Sequence, residues 1–319
     1  MIVTGLCRAN QRTLLHGVIK SAPEDFYVEE LMDLELSGSG EHLYLFIEKV
    51  GQNTEFVAKQ LARLFKVRSM DVGFSGLKDR WAVTRQWFSI YVRNQTFENL
   101  TLDEIEGIRL ISSTRHSRKL RRGEHRGNAF RICVRGLSSE EIEQAEGHDA
   151  IHQALDELKE RGFPNYFGVQ RFGRDAQNLE RAQQWFRGEI KASRSQRSFY
   201  LSAVRSYLFN TMLSEKVEQG DWLEGEGPLY GDPVDGLAPL NDAENAFFER
   251  FPELVAGLHK NRMTLARRPY RMRAENLEWE ISGNSLTLSF ALGPGAFATS
   301  LLAEFIEVED GSVRDKSDT

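Results

Sequence analysis

Apolar and polar residues alternate with period two over residues 43–48, 87–92, 130–135 and 285–290, where Leu286, Leu288 and Phe290 share one face. Successive side chains of a strand point to opposite faces, so this period predicts half-buried sheet strands. Between the first two, Phe56, Val57, Leu61, Leu64 and Phe65 recur at helical spacing and predict a helix. A second helix is expected to open at Ser138, where Glu141 completes a capping box. It runs through Ile151, Leu155 and Leu158 and stops at Gly162, two residues before Pro164. Residues 176–218 then read as helical and polar, residues 221–241 as acidic and turn-rich, and strand character returns only after Arg273. The pattern predicts an α/β (α+β) domain built from both ends of the chain and interrupted by a mostly helical insertion. Ser37-Gly38-Ser39-Gly40 reads as a turn.

The chain has 319 residues, 40% of them hydrophobic, enough for a sizeable core and for two domains or one domain with a large insertion. That excludes a disordered or fibrous protein. No apolar run approaches the ~18 residues of a membrane span, and no basic start leads into an apolar stretch and cleavage site. A soluble cytoplasmic protein without a membrane partner is expected. Cys7 and Cys133 form no CxxC pair and read as packing residues, not as a disulfide framework or zinc ribbon.

The net charge of -6 argues on average against a nucleic-acid partner, but the charges are segregated. Arg115, Arg118, Lys119, Arg121, Arg122, Arg126 and Arg131 face only Glu124 over residues 115–131, and residues 260–273 carry six cations and no acid. Residues 171–205 form a third basic segment, whereas acids gather in residues 24–48 and 215–253. Each run alone is as readily a solvated helix face; three together predict a basic surface for a polyanion and an acidic back.

His148 and His152 sit at i and i+4 like the ligands of a zinc protease, but with no third ligand they read as a solvated face and no metal site is expected. The run 292–298 mimics a dinucleotide turn, yet it lies near the end of the chain and Pro294 removes a donor that a phosphate would want. Gly76-Leu77-Lys78-Asp79-Arg80 precedes a strand and places a carboxylate between two cations. On charge pattern alone it reads as a surface turn ahead of a catalytic loop. Phe26, Phe130 and Phe297 stand beside polar or small residues, and core packing is the default for each.

Several segments taken together carry a resemblance: residues 23–30 (PEDFYVEE), Asn53-Thr54, residues 76–86 (GLKDRWAVTRQ), 118–130 (RKLRRGEHRGNAF), 164–173 (PNYFGVQRFG) and 293–305 (GPGAFATSLLAEF). In this order they resemble the motifs of the TruD family, the transfer-RNA uridine-13 pseudouridine synthases, over nearly the whole chain. The resemblance implies a catalytic domain on a mixed, largely antiparallel sheet, formed by residues 1–161 and 273–319, with an insertion domain at 162–272. It implies that Asp79 is the nucleophile, that Lys20 is its basic partner, and that Phe26, Asn128, Phe130 and Phe297 hold the target uridine. The insertion is compact for the family, and its residues 215–253 are strongly acidic.

The implied reaction breaks the N1–C1′ bond, turns the held base and joins C5 to C1′. No electrons or groups enter or leave, so no cofactor is expected. A carboxylate suits it because it can bond to carbon and later accept a proton. The target must be flipped from its stack, and phenylalanine faces offset that cost. Arg118, Lys119, Arg121 and Arg122 are expected to clamp the RNA backbone, with tRNA received between the two domains, no protein partner and a monomeric chain. Two alternatives compete: a non-catalytic RNA-binding or RNA-chaperone protein on this scaffold, and a carboxylate-pair hydrolase with Asp25 as the second acid.

Overall fold

The computed structural model describes residues 5–10, 13–93, 95–97, 100–138, 140, 149–173 and 176–312. The chain divides into two compact units. One, here the sheet unit, comprises Leu14–Ala150, Ala274–Gly295 and Ile306–Thr319; the other, the helical unit, comprises Met1–Thr13, Ile151–Arg273 and Ala296–Phe305.

The sheet unit is a mixed sheet containing, in chain order, β1 (Leu15–Ile19), β2 (Phe26–Leu31), β3 (His42–Val50), β4 (Val72–Phe74), β5 (Val83–Tyr91), β6 (Ile108–His116) and β7 (Gly127–Arg135). Three strands from the later chain complete it and are numbered after four short ones of the helical unit: β8 (Phe163–Pro164), β9 (Glu226–Leu229), β10 (Ala266–Pro269) and β11 (Arg271–Met272). They are β12 (Glu275–Ser282), β13 (Ser285–Leu292) and β14 (Ile306–Asp310). The main path runs β12-β13-β7-β2-β5-β3-β6, with β4 on β5 and β1 joining β7 to β14. Only β2–β5 and β1–β14 are parallel, so the sheet is mixed and largely antiparallel, as expected. All four strands predicted from alternation are present, as β3, β5, β7 and β13.

Helix α1 (Thr54–Leu64) begins where Asn53 accepts a 2.7 Å bond from the Phe56 amide. Its Val57, Ala58, Leu61 and Ala62 recur at helical spacing and pack with Leu45, Ile47, Phe88 and Ile90 of β3 and β5. Gly127 lies so close to the Leu292 carbonyl that a Cβ has no room, which lets β7 and β13 meet beside Asn128.

The helical unit holds α2 (Asp149–Arg161), α3 (Gln177–Phe186), α4 (Arg194–Gln219), α5 (Asp242–Phe248), α6 (Pro252–Lys260) and α7 (Ala298–Leu302). Helix α2 ends at Gly162, φ +78, as read from the sequence, and from Ile151 onward it groups with this unit. Glu141 of the capping box predicted at Ser138 lies outside the described residues, as does His148 of the histidine pair. The long α4 opens with a Ser193/Gln196 capping box, closes at Gly220, and buries Tyr200, Val204, Leu208 and Met212 against α3, α5 and α6.

Candidate active site

The register of the sheet brings the candidate groups of the sheet unit onto one face. Phe26, Val28 and Glu30 of β2 lie opposite Ile132, Phe130 and Asn128 of β7, Val28 also pairs with Thr84 of β5, and Thr84 pairs with Lys49 of β3. Paired residues of a ladder project to the same side. Phe130, Asn128, Glu30, Thr84, Gln86 and Lys49 therefore share a face, and the Gly76–Arg80 loop is fastened to it.

That fastening is a buried polar network. Gln86 donates to the Gly76 carbonyl at 3.1 Å and accepts from the Thr54 hydroxyl at 2.8 Å, while Thr54 accepts from the Lys78 amide at 2.9 Å. Lys49, with 0% exposure, donates to the carbonyl oxygens of Asp79 at 2.8 Å and Gln52 at 2.6 Å. Burial pushes its ammonium down to about 8, against the pull of Asp79. The two cations flanking Asp79 in sequence are engaged elsewhere. Lys78 pairs at 3.1 Å with buried Glu30, whose other oxygen accepts from the Trp87 amide, and Arg80 donates to the Gly51 carbonyl.

The cation that does meet the Asp79 carboxylate is Lys20, only 2% exposed, which pairs with Oδ2. The Trp81 amide donates to Oδ1 at 3.2 Å, and the Trp81 indole donates to the Lys20 carbonyl at 3.0 Å, closing a ring of three residues. Lys20 sits directly after β1 with φ +57, a left-handed conformation that costs a non-glycine residue roughly 1–2 kcal/mol. Its ammonium also lies 4.7 Å from the Phe26 ring centre and 3.8 Å from Asp310 on β14. The Asp79 side chain keeps 30% exposure, so a fixed carboxylate opens to solvent above a buried cation.

Phe130 stacks on Phe290, centroids 5.4 Å apart, and meets Phe26 edge-on at 6.3 Å. Phe26 is 7% exposed, while Phe130 and Asn128 are half-buried. Asn128 Oδ1 is buried and, among the described residues, accepts no hydrogen bond; the same holds for the Thr84 hydroxyl. A buried acceptor without a donor costs roughly 1–3 kcal/mol.

The family model described as tRNA pseudouridine synthase D (TruD) matches residues 7–189. A tRNA pseudouridine synthase D of Photobacterium profundum is 36% identical, over 98% of this chain and 97% of its own length. The chain belongs to the TruD family. A relative of the same description from Vibrio cholerae is 37% identical over 91% of this chain and 88% of its own. In fold, the chain is similar to a crystal structure described as a tRNA pseudouridine synthase D (TruD) from Methanosarcina mazei, with a TM-score of 0.67, 18% identity, and 96% and 97% of the two chains covered. Pseudouridine synthases are isomerases, and as a TruD protein this chain is one.

Within this TruD sheet unit, Lys20 contacts both Asp79 and Phe26, Phe26 meets Phe130, and Asn128 lies two positions before Phe130 on β7. Phe297 belongs to the helical unit, where it leads into α7 and packs edge-on against Phe167 at 6.1 Å. Of the basic run, Arg118 pairs with Glu124, Lys119 donates to the Met70 carbonyl at 2.6 Å and Arg122 lies 3.7 Å above the Phe74 ring. Arg118, Arg121 and Arg122 are exposed. The run is tied to the end of β4: Ser75 Oγ accepts from the His125 amide at 2.8 Å and lies 2.7 Å from His125 Nδ1. Burial, then Lys78, lowers the His125 pKa. Asp25, the acid suggested for a carboxylate pair, is buried and held by Arg135 at 2.9 and 3.0 Å and by the Ala22 amide. The acid that shares Lys20 is Asp310, which sequence reasoning missed along with Lys49, Thr54, Gln86 and Glu30 as supports of the loop.

Proposed function

We propose that this chain isomerises uridine 13 of transfer RNA to pseudouridine with Asp79 as the nucleophile. The observation that carries this reading is the carboxylate of Asp79, anchored at both oxygens by Lys20 and Trp81 yet open to solvent, on the sheet face that holds the orphaned acceptor of Asn128. An attacking group needs a fixed position, because misplacement by an ångström costs about a hundredfold in rate. Lys49 and Gln86 fix the loop from below, and Lys20 fixes the side chain.

Uracil offers one N–H on its pairing edge, and the buried Asn128 oxygen lacks one. Flipping the base into this face costs the base its former partner and gives the orphaned Asn128 oxygen a donor. Phe130 offers a ring to the base, worth roughly 1–3 kcal/mol, while Phe26, buried behind it, steadies Phe130 and Lys20. Phe297 is assigned to base holding by family resemblance alone, and Arg118, Lys119, Arg121 and Arg122 to the RNA backbone on the same ground. The reaction is balanced within the nucleotide: the N1–C1′ bond breaks, C5 bonds to C1′, and a proton leaves C5 while N1 gains one.

The reading is tested by treating an unmodified tRNA transcript with the protein and mapping pseudouridine by chemical derivatisation and primer extension. A single new stop signal at position 13, absent when that uridine is replaced by cytidine, is expected. Modification at another position, or none, contradicts it.

A further inference from the structure

A second feature lies in the helical unit, within the basic segment 171–205. A cavity of about 410 Å³ is walled by Arg171, Arg194, Arg197 and Arg205, with Phe167 and Leu201 as apolar lining, and among the described residues no Asp or Glu lines it. Arg194 and Arg197 project from the first turn of α4, and with Arg171 they are exposed. Arg205 is the fixed member. One of its terminal nitrogens donates at 2.8 Å to both the Leu229 and Thr264 carbonyls, and its Nε is buried without a partner among the described residues. Burial lowers the Arg205 pKa. A further cation, Arg268, lies 4.0 Å from the Phe167 ring centre, with its pKa brought down to about 10 by burial and by Arg171.

Four guanidinium groups around one hollow with no acid in its lining give it a positive potential that attracts an anion. Their planar donor forks match phosphate oxygens, and the size and apolar lining suit one nucleotide. We propose that this cavity binds a phosphodiester of the RNA substrate, with the attached nucleotide against Phe167 and Leu201. The assignment rests on the tRNA reading above and gives that substrate a contact in the helical unit.

The test is a fluorescence-anisotropy titration of tRNA with full-length Asp79→Asn protein across a range of salt, with and without Arg171→Gln/Arg194→Gln. Each phosphate contact contributes about 0.7–0.9 to the salt slope, so losing the one phosphodiester should lower it by about that amount and weaken binding about tenfold at low salt. Arg187→Gln, whose side chain pairs with Glu189 and Glu253, should leave the slope unchanged. If the double variant unfolds, Arg194→Gln alone, at an exposed position in the first turn of α4, should still lower the slope and the affinity. A slope and affinity equal to those of the parent overturn the cavity assignment, whether another anion, an acidic peptide or nothing enters it. Pseudouridine formation by the wild-type protein on the same tRNA is scored alongside. Its absence counts against the tRNA reading, while the slope alone decides the cavity.

Discussion

Lys49 Nζ donates a 2.8 Å hydrogen bond to the backbone carbonyl of Asp79 from a side chain with no solvent exposure. The proposed nucleophile is thus held twice, by Lys49 at its backbone and by Lys20 at its carboxylate. Replacing Lys49 with Met removes both donated bonds and leaves two carbonyls unsatisfied. We expect single-turnover pseudouridine formation to fall about 100-fold or more, with tRNA affinity retained. Rapid-quench kinetics beside anisotropy titration, on protein whose circular dichroism matches the parent, checks this.

This relationship also marks where the sequence was readable. Alternation in β3, β5, β7 and β13 revealed the strands because their inward positions are apolar. Lys49 occupies the same phase as Leu45 and Ile47, Glu30 the phase of Phe26 and Val28, and Gln86 that of Phe88. A polar residue at an inward strand position is the signal that could have exposed the network, but at strand ends it reads as ordinary fraying. Asp79 emerged only through family motifs, since its neighbours Lys78 and Arg80 suggested a charged turn and in fact point to Glu30 and Gly51. Asp310 reaches Lys20 because β14 pairs in parallel with β1, placing Asp310 opposite Ile19. No local pattern encodes that pairing.

Asn128→Ala should move stability and activity in opposite directions. Removing a buried acceptor that has no partner leaves Tm unchanged or raised, whereas kcat/KM for tRNA falls by about ten- to a hundredfold as the base loses its partner. Differential scanning fluorimetry with steady-state kinetics reads both. A drop in Tm with unaltered kcat/KM would show the side chain to be structural.

Asp310→Asn distinguishes one carboxylate from a pair. Asp310 lies 3.8 Å from the Lys20 ammonium, and its Oδ1 accepts from the Ser312 amide at 3.0 Å. We expect kcat to fall by less than about tenfold, the scale of a partly screened charge. A loss as complete as that of an Asp79 variant, or free uracil among the products, would favour the carboxylate-pair hydrolase.

Glu304, 4% exposed in the helical unit, accepts from the Ala9 and Asn10 amides at 2.8 and 3.2 Å. Burial raises its carboxyl from the ordinary 4.5 to about 7. Between those values the folded chain keeps a proton that the unfolded chain has released, so this group's contribution to stability falls as pH rises from about 4.5 to about 7 and is level above. Glu304→Gln keeps an acceptor and never ionises. Its Tm should exceed the wild-type value at pH 8 by a few degrees, and the gap should close towards pH 5. A gap independent of pH would contradict the assignment.

The central claim is that Asp79 is the nucleophile, and it is tested most directly by Asp79→Asn in a pseudouridine assay on a tRNA transcript, with binding measured on the same preparation. The amide keeps the size of the side chain and one acceptor oxygen, for Lys20 or Trp81, while losing the power to attack carbon. We predict no product above the protein-free background and an affinity for tRNA within about twofold of the wild type. Product formed at the wild-type rate would contradict the claim.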